Sequence, residues 1–288
     1  MKHSNNEIKE ELRKYYKHIK GCLSEREVSF WLSLVNQKQK KIIDDFDINK
    51  IVIRDYDLPF PKLKLINNIS SFYYKGRVGR RIDKIVYYDT IPLGYIQLSS
   101  PLLNTKIHNY LKEKYGKYDF TLLNDKVVEL SICIPFGIIS QYLGGKLLVF
   151  IAMSKEMIED YNKKFNTNIE VLFTTSIFGK SSMYNRIRNL KFLGLTEGYH
   201  SILTDEQIKE IKELYKKHYP HREIKKTAKA EHIIRLYLHL LNDGIKLSFD
   251  IPKLQKGVYV CDIFLPLEQN LLYWFNRWFV PRRERLKD

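Results

Sequence analysis

Residues 134–150 read IPFGIISQYLGGKLLVF, an apolar strand-like run, a glycine pair and an apolar helix in succession. Glycines before a helix let the backbone approach a ligand closely, because no Cβ intervenes. The first amides of such a helix turn free N–H groups toward an anion. Gly144 and Gly145, with Gly137 earlier in the loop and Gln141 and Lys146 as side-chain contacts, are therefore candidates to hold the phosphates of a donor molecule. A glycine pair in this position is also, and more often, a tight turn between two buried elements.

A second cluster follows at Ser181, Ser182, Tyr184, Asn185 and Arg186, between two apolar stretches. Polar residues there cap a helix or satisfy a turn, or they form a site at the carboxyl end of a strand, where open α/β sheets bind ligands. In an acyl transfer Tyr184 is the candidate general acid for a leaving thiolate. Arg186 is the candidate for a bidentate phosphate grip. Arg188, two residues on, faces elsewhere on a helix and is read as solvated or bound to nucleic acid. Glu129 interrupts the run VVELSICIP. It is either a general base with a raised pKa or the solvent side of an alternating strand. The eight histidines show no metal-ligand spacing, and no metal is expected.

These residues need elements to hold them. DKIVYYDT and LGYIQLSS (83–100) read as a β-hairpin with its turn near 90–92, KIHNYLKEKYG (106–116) as a helix closed by Gly116, and VVELSICIP (127–135) as a strand. Apolar residues recur at three- or four-residue steps over 145–165, which predicts one long helix. IEVLFTTSIFG (169–179) predicts a strand and SMYNRIRNLKFLG (182–194) a short helix ending at Gly194. Upstream, residues 5–43 read as two helices. They break at Gly21, and Ser24 with Glu27 caps the second, whose apolar face is Val28, Trp31, Leu32 and Val35. Downstream, helices are expected over 204–218, with Thr204 and Gln207 as a capping box, over 228–243, closed by Gly244, and over 267–279, with GVYVCDIF as a strand between the last two. The reading is a helical N-terminal appendage over 1–70, an α/β core with a mixed sheet over 71–200, and a helical, basic C-terminal extension over 201–288.

Composition narrows the partner. The 288 residues carry 49 Lys+Arg against 33 Asp+Glu, a formal net charge of +16. An excess of this size points to a polyanion, above all nucleic acid, with DNA favoured; the bland reading is a Lys-rich genome bias. KGRVGRR (75–81), REIKKTAK (222–229) and PRRER (281–285) supply the candidate contacts Arg77, Arg80, Arg81, Lys225, Lys226, Arg282 and Arg283, with Arg188. Interleaved Tyr and Phe are expected to stack on exposed bases. Trp274 and Trp278, four apart in an apolar helix, read as core. Three scattered cysteines, Cys22, Cys133 and Cys261, argue against a disulfide framework or zinc site and for a reducing, cytoplasmic setting. The polar start MKHSNNEIKEELRKYY is unlike a signal peptide, and no apolar run reaches the length of a membrane span.

The order of hairpin, strand, glycine loop, helix, strand and Tyr-bearing segment resembles the acetyltransferase fold of the GNAT superfamily. In that superfamily the loop after the fourth strand holds the pyrophosphate of acyl-CoA through Gln/Arg-x-x-Gly-x-Gly/Ala. Here the pattern reads Gln141-Tyr-Leu-Gly144-Gly145-Lys146, with Lys146 at the last small position and a longer spacing from Pro135 to Gln141. GGKLLVFIAMSKEMIEDYNKKF, TTSIFGKSSMYNRIRNLKFLGLTEGY and KGVYVCDIFLPLEQN, spread over roughly 80–275, resemble the Druantia protein A-like domain family of anti-phage systems and mobile elements; Lys256 stands where Arg is common. The phage Mom-type DNA-modifying enzymes, also acetyltransferase-like, extend the analogy to chemistry on a nucleobase. These resemblances imply a transferase that moves a group from acetyl-CoA, another acyl-CoA or a nucleotide donor to a DNA base, working with partner proteins of a defence or mobile-element system. In that reading Glu129, Ser182, Tyr184, Asn185 and Arg186 are catalytic. The alternative is a non-catalytic DNA-binding component of such a system. An ordinary small-molecule acyltransferase is disfavoured by the charge.

Overall fold

The computed structural model describes residues 26–70, 79–102, 105–177, 179–196, 205–224, 230–249 and 255–286. The helix expected over 5–19, Gly21, Cys22, the Ser24 cap, Arg77, the Thr204 cap, Lys225 and Lys226 lie outside the described residues.

Seven strands among the described residues make one mixed sheet. They are β1 (Ile51–Asp55), β2 (Arg81–Tyr88), β3 (Ile91–Ser99), β4 (Val127–Pro135), β5 (Val171–Ser176), β6 (Lys191–Leu195) and β7 (Gly257–Cys261), in the spatial order β1-β2-β3-β4-β5-β7-β6. The α/β class expected from the sequence holds. Every junction is antiparallel except β4–β5. That parallel pairing covers three residues, Val127–Glu129 against Val171–Phe173, and then stops. Beyond it the Thr174 hydroxyl donates to the Leu130 carbonyl at 2.8 Å, and Tyr184 stands 3.4 Å from the same hydroxyl.

Strand alternation divides the core between the two faces of the sheet. On one face Ile85, Tyr87, Tyr95, Ile132 and Ile134 pack with Val28 and Val35 of α1 (Arg26–Ile42) and Leu65 and Ile66 of α2 (Lys62–Ile69). On the same face α3 (Thr105–Tyr115) and α4 (Phe120–Lys126) cover Val127, Val171 and Phe173. On the other face Val86, Ile96, Leu98, Val128 and Leu130 meet α5 (Gly144–Ala152) and α6 (Lys155–Phe165). The described residues of 205–249 form a separate compact unit, in which α7 (Asp205–His218) and α8 (Ala230–Asn242) join through Ile211, Tyr215, Ile233 and Leu240.

Local chemistry corrects four expectations. The single helix over 145–165 is two, because Ser154 starts a new one: its hydroxyl accepts from the Met157 N–H at 3.3 Å, a side-chain cap that ends one turn and opens the next. The hairpin turn falls at Asp89–Thr90, with Asp89 at φ +52°, a conformation that Asp tolerates better than most residues. Residues 182–194 are no helix: Arg186 at φ +61° and Asn189 at φ +65° break any helical run, and Lys191–Leu195 pairs with β7 instead. The N-terminal stretch is not wholly helical either, since Ile51–Asp55 adds an edge strand to the sheet.

A buried carboxylate lies on the first face. Asp83 accepts from Tyr95 Oη at 2.6 Å and Gln97 Nε2 at 2.7 Å, and pairs with Lys62. Burial by itself would raise its pKa, but the hydrogen bonds from Lys62, Tyr95 and Gln97 outweigh that and hold the carboxyl below its ordinary value of 3.8. A group whose folded pKa is depressed stabilises the fold above its unfolded value, and that contribution is lost as pH falls through the folded one. The urea midpoint is therefore expected to fall between pH 5 and pH 2, and less steeply in Asp83→Asn; equal slopes in the two proteins would remove Asp83 from the account.

Candidate functional site

The glycine loop is packed against its own chain. After β4 a 3₁₀ turn (Gly137–Tyr142) leads to Leu143, whose left-handed φ of +66° reverses the chain into α5. Gly137 is also left-handed, at φ +56°, and an added Cβ would overlap Asn36 and lie 2.8 Å from Gln39 Oε1. Gln39, fully buried on α1, spans the loop: its amide nitrogen donates to the Pro92 and Phe136 carbonyls at 2.8 and 3.2 Å, and its oxygen accepts from the Ile139 N–H at 3.0 Å. A Cβ on Gly144 would meet the Ile139 carbonyl oxygen at 3.0 Å, and one on Gly145 would meet Met183 Sδ at 2.7 Å. Close approach of the loop to the 3₁₀ turn and to Met183 accounts for both glycines.

Lys146, only 4% exposed, joins this loop to the polar cluster. Its ammonium donates to the carbonyls of Ser182, Met183 and Asn185 at 2.8, 3.1 and 2.8 Å, and lies 4.6 Å from the centre of the Trp278 ring. Burial, and then the neighbouring Arg186 guanidinium, lower its pKa to about 8. The three carbonyls act the other way and keep it charged at neutral pH.

The proposed catalytic residues divide by burial. Tyr184 is 6% exposed, its ring 5.1 Å from Tyr259, and burial pushes its hydroxyl pKa well up. Glu129 is likewise 6% exposed, and its Oε2 accepts from the Leu102 N–H at 3.0 Å, so it does not lie on a solvent face. The Asn185 side-chain oxygen accepts from the Tyr259 hydroxyl at 3.2 Å, and that hydroxyl accepts from the Ser181 N–H at 2.7 Å. These bonds hold the turn that presents Ser182, Arg186 and Arg188 at the surface.

The surface of that turn is basic, and the last helix of the chain extends it. α9 (Leu267–Trp274) runs through a π-helical segment (Phe275–Phe279) into α10 (Val280–Arg285). Arg186 and Arg277 both lie over Trp278, at 5.3 and 5.0 Å, and Arg188 lies over Tyr273 at 5.8 Å. Arg282 donates to the Gln141 carbonyl at 3.2 Å, and Arg283 to the Asp44 carbonyl at 2.6 Å. Among the described residues none of Arg186, Arg188, Arg277, Arg282, Arg283 and Arg285 has an ion pair. Stacking fixes a guanidinium plane while leaving its edge N–H groups to donate, a geometry matched to phosphate oxygens. Trp278 and Tyr273 have cations over them.

The candidates therefore converge in part. Gln141, Gly145, Lys146, Ser182, Asn185, Arg186, Arg188 and Arg282 share one region, although Gln141 contributes a carbonyl and Gly145 a close contact. Arg80 and Arg81 belong elsewhere: Arg80 donates to the Asn124 carbonyl, and Arg81 lies 3.6 Å from Asp83. Arg277 and Met183 escaped the sequence reading. Arg277 sits inside an apolar helix without a basic run around it, and Met183 has no chemistry to announce it. Among the described residues no three His, Cys, Asp or Glu side chains come together as a metal site, and no helix is long and apolar enough to cross a membrane.

Comparison with known proteins locates the chain among its kin. The family model described as Druantia protein DruA matches residues 61–272. A curated relative, "Druantia protein DruA" of Escherichia coli (strain UMEA 4076-1), is 24% identical, with 72% of this chain and 61% of the relative covered. The chain thus spans about three fifths of the length of that relative. No solved structure matches.

Proposed function

The chain belongs to the Druantia protein DruA family, and from that premise we propose that it serves anti-phage defence by binding nucleic acid, DNA foremost, through the arginine face. The observation that carries this is the trio Arg186, Arg188 and Arg277, exposed and free of ion pairs among the described residues, where the 181–189 turn meets the last helix. Counter-charges within the protein would have neutralised an ordinary solvated surface. Here the donors stay available for phosphates. The face grips backbone and reads no bases, because its rings already carry cations. Binding should be indifferent to sequence and steeply dependent on salt. Fluorescence anisotropy of two unrelated duplexes from 50 to 300 mM salt tests this. Equal, salt-sensitive affinities are expected, and an affinity insensitive to salt would sink the reading.

A second reading has its own observation. The pairing of β4 with β5 stops after Glu129, and the glycine loop follows β4, an order that supports the resemblance to acetyltransferases drawn from the sequence. A group transfer to a base would then use Glu129 and Tyr184, with an acyl-CoA or nucleotide donor at Gly144–Lys146. Met183 and the Lys146 carbonyl bonds would have to move aside for that donor. Mass spectrometry of nucleosides from cells expressing the protein, beside Tyr184→Phe and Glu129→Gln, decides it; an unaltered nucleoside pool would leave the binding reading alone.

A further inference from the structure

We infer that Lys146 is the positioning residue of the arginine face: its ammonium, held by the carbonyls of Ser182, Met183 and Asn185, fixes the turn from which Arg186 and Arg188 project. This rests on the nucleic-acid reading and adds a control to it. Lys146 comes from the first turn of α5, a helix buried throughout its length, so its backbone is a rigid anchor. The turn it holds contains Arg186 at φ +61°, a strained conformation for that residue, and Asn189 at φ +65°, one that Asn tolerates. Left-handed conformations of non-glycine residues persist when surrounding contacts over-determine them, and three charge-assisted hydrogen bonds within four residues do that. The same ammonium lies against Trp278, the ring shared by Arg186 and Arg277, so one group aligns the turn with the last helix.

The bonds require a donor on every side, which only the protonated amine supplies, since –NH₃⁺ has three donors and no acceptor. The charged groups that share the Trp278 ring with it are cations: Arg186 from the turn itself and Arg277 across the ring. The other titratable groups nearby are hydroxyls, a thiol and the buried Glu129 carboxylate, whose charge reaches Tyr184 from β4. Tyr184 belongs to the turn, Tyr259 on β7 hydrogen-bonds to it, and Cys133 on β4 donates its thiol to the Gly145 carbonyl at 3.7 Å. Burial raises the pKa of Tyr184, Tyr259 and Cys133. Burial and the Arg186 charge bring the Lys146 pKa to about 8, which places the loss of the proton in an accessible range. Below that value the turn is held. Above it the amine keeps fewer donors for three acceptors, and the turn is released.

Duplex affinity of the wild-type chain, measured from pH 7 to 9.5 at constant ionic strength, is expected to fall about tenfold, the scale of losing a hydrogen bond to a charged group. Lys146→Arg keeps its charge throughout and should show a flat profile. Lys146→Met should bind weakly at every pH while retaining its circular dichroism spectrum. A Lys146→Arg profile that declines in parallel with wild type, or a Lys146→Met protein that binds as well as wild type at pH 7, would overturn the inference. A readout without DNA separates it from the reading beneath. Tryptophan fluorescence, referenced to Trp278→Phe, should inflect near pH 8 in wild type and be flat in Lys146→Arg. If wild type binds no duplex at pH 7, the nucleic-acid reading fails, and the presence or absence of this inflection still decides whether Lys146 holds the turn.

Discussion

Alanine at Arg186, Arg188 and Arg277 together is expected to lower affinity for duplex DNA by about a hundredfold at low salt and to reduce the slope of log K against log salt by about 2 to 3. Each phosphate contact releases condensed counterions and contributes about 0.9 to that slope. The three side chains reach the surface from two segments far apart in the chain. The guanidinium carbons of Arg186 and Arg277 lie 5.3 and 5.0 Å from the centre of the Trp278 ring, and that of Arg188 lies 5.8 Å from the centre of the Tyr273 ring. Little side-chain freedom is therefore left to lose on binding, which makes each contact more effective than that of a free surface lysine. All three are exposed and free of ion pairs among the described residues, so stability should move by no more than about 0.5 kcal/mol for each. Anisotropy titrations at three salt concentrations provide the slope. A triple variant with the wild-type slope would place the phosphate contacts elsewhere. Arg80 and Arg81 are a natural control, since their carbonyl and carboxylate partners lie on another part of the sheet; Arg80→Ala should leave the slope nearly unchanged.

The second large effect is on stability. Trp274 is completely buried, with its ring 5.9 Å from Phe46 and 5.2 Å from Phe279, and its indole N–H donates to the Leu143 carbonyl at 3.4 Å. It thus ties the last helix both to the segment after α1 and to the left-handed residue that opens α5. Trp274→Ala removes the largest of the fully buried side chains among the described residues and leaves a cavity, at a cost of about 3–5 kcal/mol. For a chain of this size that corresponds to a fall in Tm of roughly 10 °C. The last helix also carries Arg277, Arg282 and Arg283, so DNA binding should weaken along with stability. Urea unfolding with anisotropy in parallel checks both. A loss below about 1 kcal/mol would mean that this helix docks through other contacts.

Much of the scaffold was legible in the residues. The hairpin of β2 and β3, the strand VVELSICIP and the amphipathic face Val28–Trp31–Leu32–Val35 each announce themselves by period, and each is where that period puts it. The misread parts share a cause. Residues 182–194 have helix-compatible residues, yet Tyr259 and Lys146, distant in sequence, hold that backbone in a turn. Ser154 ends one helix and starts another because its hydroxyl caps the second, a choice that periodicity across 145–165 does not register. The edge strand Ile51–Asp55 is short and half exposed, so its pattern is too weak to stand out until β2 pairs with it.

The glycine loop shows the division most clearly. By itself the sequence determined that this chain builds an α/β core, carries a charge of +16, joins the Druantia protein DruA family and has two glycines and a lysine at the start of the helix that follows a strand. The core pattern and the charge are local or summed, so side-chain periodicity and composition express them, while the family is carried by the match over residues 61–272. Only the tertiary structure decided what Lys146 touches: three carbonyls some forty residues later and a tryptophan near the end of the chain. It also decided that Arg186 and Arg277 share one ring. Helical and strand periods say which residues face inward together. Which inward faces then meet depends on the packing of the whole core, where volume, burial and hydrogen bonding must be satisfied at once.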